Sequence, residues 1–242
     1  MGAMPCAAIA QEAKTDDGLS FSVGADVVSS YVWRGVHQGG GAHVQPALGL
    51  SYNGFSLGTW GSVDIGGFGC KEVDLSAGYS IAGLDIAVTD YWWAGEGAYS
   101  YFTYKKDAGS AHLFEASLGY SLPIASFPLH LSWATMFAGA DYTFDDNGDD
   151  KRAFSTYIEA SLPFTVKDVA LEAALGIRPW ESPAYALGNP PSYYSPDFAV
   201  VNLSLKATKE IKITDSFTLP LFGQLIFNPN AEDIFLVCGI SF

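Results

Sequence analysis

Apolar and polar side chains alternate along most of this chain with the period of two that a β-strand imposes on its faces. Between residues 19 and 34, Leu19, Phe21, Val23, Ala25, Val27, Tyr31 and Trp33 share one phase. Ser20, Ser22, Gly24, Asp26, Ser30 and Arg34 share the other. Residues 71–81 set Val73, Leu75, Ala77, Tyr79 and Ile81 against Glu72, Asp74, Ser76, Gly78 and Ser80. The chain ends in the same way, with Ile234, Leu236, Cys238, Ile240 and Phe242 in one phase.

Turn signals cut this pattern into twelve predicted strands, at about 19–34, 43–52, 55–65, 71–81, 84–93, 112–122, 128–138, 153–163, 168–178, 198–208, 216–227 and 232–242. Brief connections fall at Asn53-Gly54, Ala82-Gly83, 123–127, 164–167 and 209–215, and long ones at 94–111, 139–152 and 179–197. Asn53-Gly54 is a hairpin signal, because both residues tolerate positive φ. The expected fold is all-β: a closed antiparallel transmembrane β-barrel of about twelve strands, with short periplasmic turns and longer external loops. An even strand number puts both termini on the periplasmic side.

A soluble sandwich also alternates. Its exterior would be denser in Lys and Glu than the Gly, Ser and Thr of this polar phase. Tyr and Trp of the apolar phase also gather near predicted strand ends (Tyr31, Trp33, Tyr52, Tyr79, Trp92, Tyr120), as interfacial girdles require. Within predicted strands, Asp90 is the one charged residue well inside the apolar phase. It belongs near a headgroup boundary or at a bulge.

Composition adds to this picture. Only 16% of the 242 residues are charged, yet the net charge is −14. Acidity of that order offers no basic stripe for phosphates and argues against nucleic acid. No run approaches the roughly 18 apolar residues of a membrane-spanning helix. Ala8-Ile9-Ala10 before Gln11 looks like a small-x-small signal-peptide cleavage site, so residues 1–18 are set apart as a signal-peptide remnant and flexible N-terminus, and 19–242 as one barrel. Cys6, Cys70 and Cys238 form neither a disulfide framework nor a metal pair. Phe242, closing an alternating strand, fits the terminal signal read by the barrel-assembly machinery.

Ser29-Ser30-Tyr31-Val32-Trp33-Arg34-Gly35, then Gln45-Pro46, Gly58-Thr59-Trp60-Gly61-Ser62, and Glu72-Val73-Asp74 with Gly78-Tyr79, resemble the TorF-type porin family over roughly residues 25–93. The resemblance implies an outer-membrane barrel and suggests a pore. It supplies no substrate. The long loops at 94–111 and 179–197 depart from simple members.

The candidate pore lining is Asp26, Arg34, Asp64, Glu72, Asp74, Asp85, Glu115, Glu159, Glu172, Arg178, Lys206 and Asp233. Nine acids against three bases favour cations over anions, so small polar solutes, cationic ones above all, are the expected permeants. Trp60, Tyr91, Trp93, Tyr157 and Phe222 are inward and narrow the bore, which leaves a filled barrel as the competing reading. Trp92, Trp93, Tyr99, Tyr101, Phe102, Tyr104, Trp180, Tyr193 and Tyr194 are candidate external-loop aromatics, for a partner or for the headgroup level. Residues 141–150 hold an acidic run, but with Gly148 at position six the calcium-loop register fails. His112 lies in the outward phase near Asp90, about four residues higher, with no outward Ser to complete a hydrolase. No enzyme, cofactor or metal is expected; the expected surroundings are outer-membrane lipid.

Overall fold

The computed structural model describes residues 11–14, 18–39, 41–67, 71–94, 101–102, 104, 111–181 and 197–242. Its elements are β1 (Gln11–Lys14), β2 (Ser20–Val28), β3 (Tyr31–Trp33), β4 (Val36–Gly39), β5 (His43–Tyr52), β6 (Phe55–Asp64), β7 (Lys71–Ile81), β8 (Leu84–Ala94), β9 (His112–Ser121), β10 (His130–Gly139), β11 (Tyr142–Phe144), β12 (Asp150–Arg152), β13 (Thr156–Val166), β14 (Val169–Arg178), β15 (Ala199–Lys212), β16 (Thr218–Asn228) and β17 (Asp233–Ser241).

Twelve of these strands close into one antiparallel barrel: β2, β5 to β10 and β13 to β17, each paired with its neighbour in sequence. Closure comes at β2, which pairs with β5 on one edge and β17 on the other. Long connections gather at one end of the barrel and short turns at the other. Two of the short turns are tight, with Asn53 and Gly54 at φ 48° and 86° and Ala82 and Gly83 at 50° and 84°. Such primed turns match the right-handed twist of the strands they join.

Alternation sets which side chains face out. Phe21, Leu57 and Leu236 are 49%, 56% and 68% exposed on the outer wall, while Asp26, Ser62 and Glu72 of the other phase are 3%, 0% and 2% exposed. The outward face is the apolar one. This inverts a soluble protein and fits a wall in contact with lipid.

Three departures from the expected strand plan have physical causes. The first predicted strand stops at Val28 rather than Arg34. Ser29 is still tied to β17, its amide donating to the Cys238 carbonyl at 2.8 Å. The chain then turns inward. Tyr31 and Trp33 keep the alternating phase because β3 is itself a strand, but both lie inside the barrel rather than in an outer girdle. The second departure is at the seam. β17 pairs with β2 over a short stretch, from the Ser29–Cys238 bond through Gly239 opposite Val28 and Ser241 opposite Asp26 to Phe242, which exchanges backbone bonds with Ala25. β1 continues that edge from Gln11 opposite Val23 to Lys14 opposite Ser20. Part of the segment set apart from the barrel therefore lies in its sheet, occupying an edge that would otherwise leave backbone groups of β2 unpaired. Third, the run 141–150 contributes to a small hairpin, β11 with β12. The Asp145 carboxylate accepts from the amides of Asn147 (2.8 Å) and Asp149 (2.9 Å), which is how an Asp shapes a turn.

Candidate functional site

The site is inside the barrel, and its centre is the hairpin of β3 and β4. This hairpin springs from the long-loop end between the neighbouring strands β2 and β5. Trp33-Arg34-Gly35-Val36 makes the two-residue turn, with Arg34 at φ 50° and Gly35 at φ 78°. Positive φ costs a non-glycine residue on the order of 1 kcal/mol or more, so Arg34 has to be held there by its contacts.

Those contacts span the bore. On the near side, Tyr31 packs on His43 of β5 and Trp60 of β6, with ring centroids 5.7 and 5.4 Å apart. Val32 joins the cluster of Val28, Phe222, Ile226 and Val237. Trp33 meets Tyr91 and Trp93 of β8 at 5.5 and 5.8 Å. On the far side, Arg34 donates both guanidinium arms to Glu115 of β9, at 2.6 and 2.9 Å. Its guanidinium carbon lies 4.7 Å from the ring centre of Tyr157 on β13 and 4.4 Å from that of Trp33. Gly35 lies so close to β15 that a Cβ there would sit 1.8 Å from the Val201 carbonyl oxygen. Asn228 of β16 donates to the Gly35 carbonyl at 3.0 Å. In barrel order, β9 and β13 stand across from β2 and β5. The hairpin therefore crosses the lumen and fills its cross-section near the long-loop end.

The wall around it is polar and closed off. Tyr91 donates to Glu115 at 3.0 Å, so this carboxylate is bound by both the hairpin and its own wall. Tyr157 donates to Glu159, and Asn202 donates to both of them at 3.1 Å. A Cβ on Gly176 would fall 2.0 Å from the Tyr157 hydroxyl, so the glycine is what lets Tyr157 lie against β14 with its ring beside Arg34. Glu72 meets the side chains of Trp93, Tyr31 and Asp74. His43 Nδ1 lies 2.9 Å from the Ser62 hydroxyl, and both residues are fully buried.

Toward the short-turn end the lumen changes character. Many of its inward positions are small, among them Ser22, Gly49, Ser56, Gly58, Ser76, Gly78, Ser117, Ser132 and Ser161, with Asp85, His130 and Glu172 interspersed. All are only partly buried. Lys206 lies at the boundary, its ammonium 4.2 Å from the ring centre of Phe222.

The expected lining residues divide accordingly. Asp26, Asp64, Glu72, Asp74, Glu115 and Arg178 are buried, and Asp85, Glu159, Glu172 and Lys206 are partly buried. Asp233 is exposed at the long-loop rim, opposite Asn228. Arg34 is not a wall residue at all. It is the tip of the obstruction. Sequence reading missed His43, Ser62, Asn202 and Asn228, polar residues whose inward phase was the available signal.

The external aromatics also separate. Trp92 and Trp93 belong to β8; Trp93 faces the lumen, while Trp92 faces out and is covered. Tyr101 and Tyr104 fold back on the outer wall over His112, and Phe102, largely exposed, packs on Tyr101. The His112 ring has Nδ1 2.8 Å from Asp90 Oδ1 and Nε2 2.6 Å from the Tyr101 carbonyl oxygen, and Tyr104 stacks on it at 4.2 Å. Asp90 stands opposite Phe114, two residues from His112 rather than four, which is why the two side chains meet. Tyr101 donates its hydroxyl to Asp90 at 2.8 Å; burial and that carboxylate push its phenol above the ordinary value, so it stays protonated. Asp90 thus faces out without a bulge, covered by this aromatic clasp. Trp180 packs on Trp133 of the outer wall at 5.7 Å. Tyr99, Tyr193 and Tyr194 lie outside the described residues.

No curated protein matches the chain. Residues 12–185 match the family model described as a bacterial protein of unknown function, Gcw_chp. That match covers well over half of the chain, which therefore belongs to this family.

Proposed function

We propose that the protein is an outer-membrane channel for small polar solutes, cation-leaning and closed at rest, with the β3–β4 hairpin as its gate. The observation that carries this reading is the paired contact of Arg34 with Glu115 across the bore. The hairpin that crosses the barrel is seated on the far wall by the Arg34–Glu115 pair and the Asn228 bond to Gly35, with aromatic and apolar contacts around them, whereas the lumen beneath it carries mostly small polar residues. Apolar outer positions support residence in lipid, and the resemblance to TorF-type porins supports a permeation role. Wall acids outnumber wall bases, so a path freed of the hairpin draws cations. The role is not enzymatic in this reading: the outward Asp90–His112 pair is bound to Tyr101, and no nucleophile stands beside it among the described residues.

Planar-bilayer recording tests the proposal. The intact protein should show rare, brief openings. A variant with residues 31–38 replaced by a Gly/Ser linker should conduct steadily and favour potassium over chloride. A folded linker variant with no conductance above bare membrane would leave a structural barrel and remove the channel.

A further inference from the structure

The pocket that receives Arg34 is built from the wall as much as from the hairpin. Glu115 presents both oxygens to one planar cation, and Tyr91 orients that carboxylate from behind at 3.0 Å. Tyr157 lays an aromatic face beside the guanidinium plane. These three residues belong to three separate wall strands and stay in place wherever the hairpin goes. Two further atoms in this buried zone, Asp74 Oδ1 and Asn202 Oδ1, have no hydrogen-bond partner among the described residues. Both are acceptors. A bidentate carboxylate beside an aromatic face selects a flat, forked donor over a compact ammonium ion. On the short-turn side of this pocket the lumen carries mostly Ser and Gly.

We infer that this pocket is a recognition site for guanidinium-bearing solutes, that Arg34 is its tethered occupant, and that such solutes are the preferred permeants once the hairpin is displaced. This rests on the channel reading for its last clause only. A tethered side chain occupies its own site at high effective concentration. The free ligand therefore has to be tested where the tether is absent.

The test uses the full chain in detergent with Arg34→Ala, titrated with methylguanidinium, methylammonium and the neutral isostere methylurea, reading the thermal midpoint and tryptophan fluorescence. Methylguanidinium should raise the midpoint saturably. Methylammonium should act about tenfold more weakly and methylurea not at all. The double variant R34A/E115Q should lose the response. Equal responses to all three, or a response that survives in the double variant, overturn the site. Should Arg34→Ala fail to fold, the linker variant lacking residues 31–38 takes its place with the same expectations. Flux of arginine against citrulline through the linker variant completes the experiment. Selective binding without flux removes the channel and keeps the site, while flux without selective binding does the reverse.

Discussion

The two halves of the lumen share one barrel, one strand set and one alternation, yet they are filled by opposite means. Near the long loops, large aromatic and charged groups interlock around a hairpin, and Asp26, Glu72, Asp74 and Glu115 are almost wholly buried. Near the short turns, the same inward phase carries mostly Ser and Gly, with Asp85, His130 and Glu172 among them, and most of these positions are only partly buried. Twelve strands enclose more space than wall side chains of ordinary size fill, and less than a wide pore. A barrel of this bore has to be closed by something placed inside it, or left open. This one does each in a different half. Charge follows packing: in the buried half Glu115 is held by donors from both hairpin and wall, while at the short-turn end Asp85 accepts from its neighbour Ser80.

That contrast can be broken from the closed side first. Gly35→Val places a side chain against the Val201 carbonyl, where even the first carbon would be 1.8 Å away. The hairpin should fail to seat. Liposome swelling with small cationic solutes should rise from near background to the level of the linker variant, and swelling that stays at background means the lumen is closed by something else. Glu115→Gln comes next. It leaves a partly buried guanidinium facing a neutral amide; losing one partner of a fully buried pair costs about 3–5 kcal/mol, and this pair, with Arg34 20% exposed, should lose less. Urea unfolding in lipid vesicles should show that loss together with more frequent openings.

The open half predicts the reverse pattern. Ser76→Trp should change stability by less than about 1 kcal/mol, because its site has solvent to displace rather than packing to disrupt. In the linker background it should nonetheless cut solute flux severalfold. A large stability loss would show that this half is packed after all. At the short turns the effects are smaller still. Asn53→Ala, at φ 48°, should cost about 1 kcal/mol by unfolding midpoint with conductance unchanged. Smallest of all is Lys209→Ala. The ammonium lies 3.0 Å from Asp168 in the exposed turn between β13 and β14 and holds that carboxyl below its usual range. The pair therefore adds its slight stability above the ordinary carboxylate pKa and loses it as pH falls. Removing Lys209 should return the Asp168 titration, followed by NMR, to its usual position.

The barrel was legible because its outer face is apolar almost throughout, and a sheet writes such a face into every second residue. The hairpin was not, and the reason lies in Tyr31 and Trp33. They continue the phase of β2, so by periodicity alone they read as two more outward positions. Nothing local distinguishes an aromatic facing lipid from one facing a neighbouring ring across a lumen. Trp33-Arg34-Gly35 did hold a signal, a Gly preceded by a charged residue at what becomes a tight turn, but a twelve-strand count absorbed it into the end of a strand. The outward Asp90 and His112 stood out as exceptions to the pattern. Their meeting depended on strand register, which alternation leaves free to slide by two residues.

The attachment of the hairpin has a mechanical consequence. Both of its legs rise from the same rim, out of adjacent strands, while its tip rests on the opposite wall. An object anchored so can pivot only about that rim, and its free end swings toward the side from which the legs enter. Force applied from the long-loop side drives the tip onto its seat. Force applied from the short-turn side lifts it, as water behind a flap lifts the flap. For the gate proposed above, the direction of yielding would be set by where this one turn of chain is rooted.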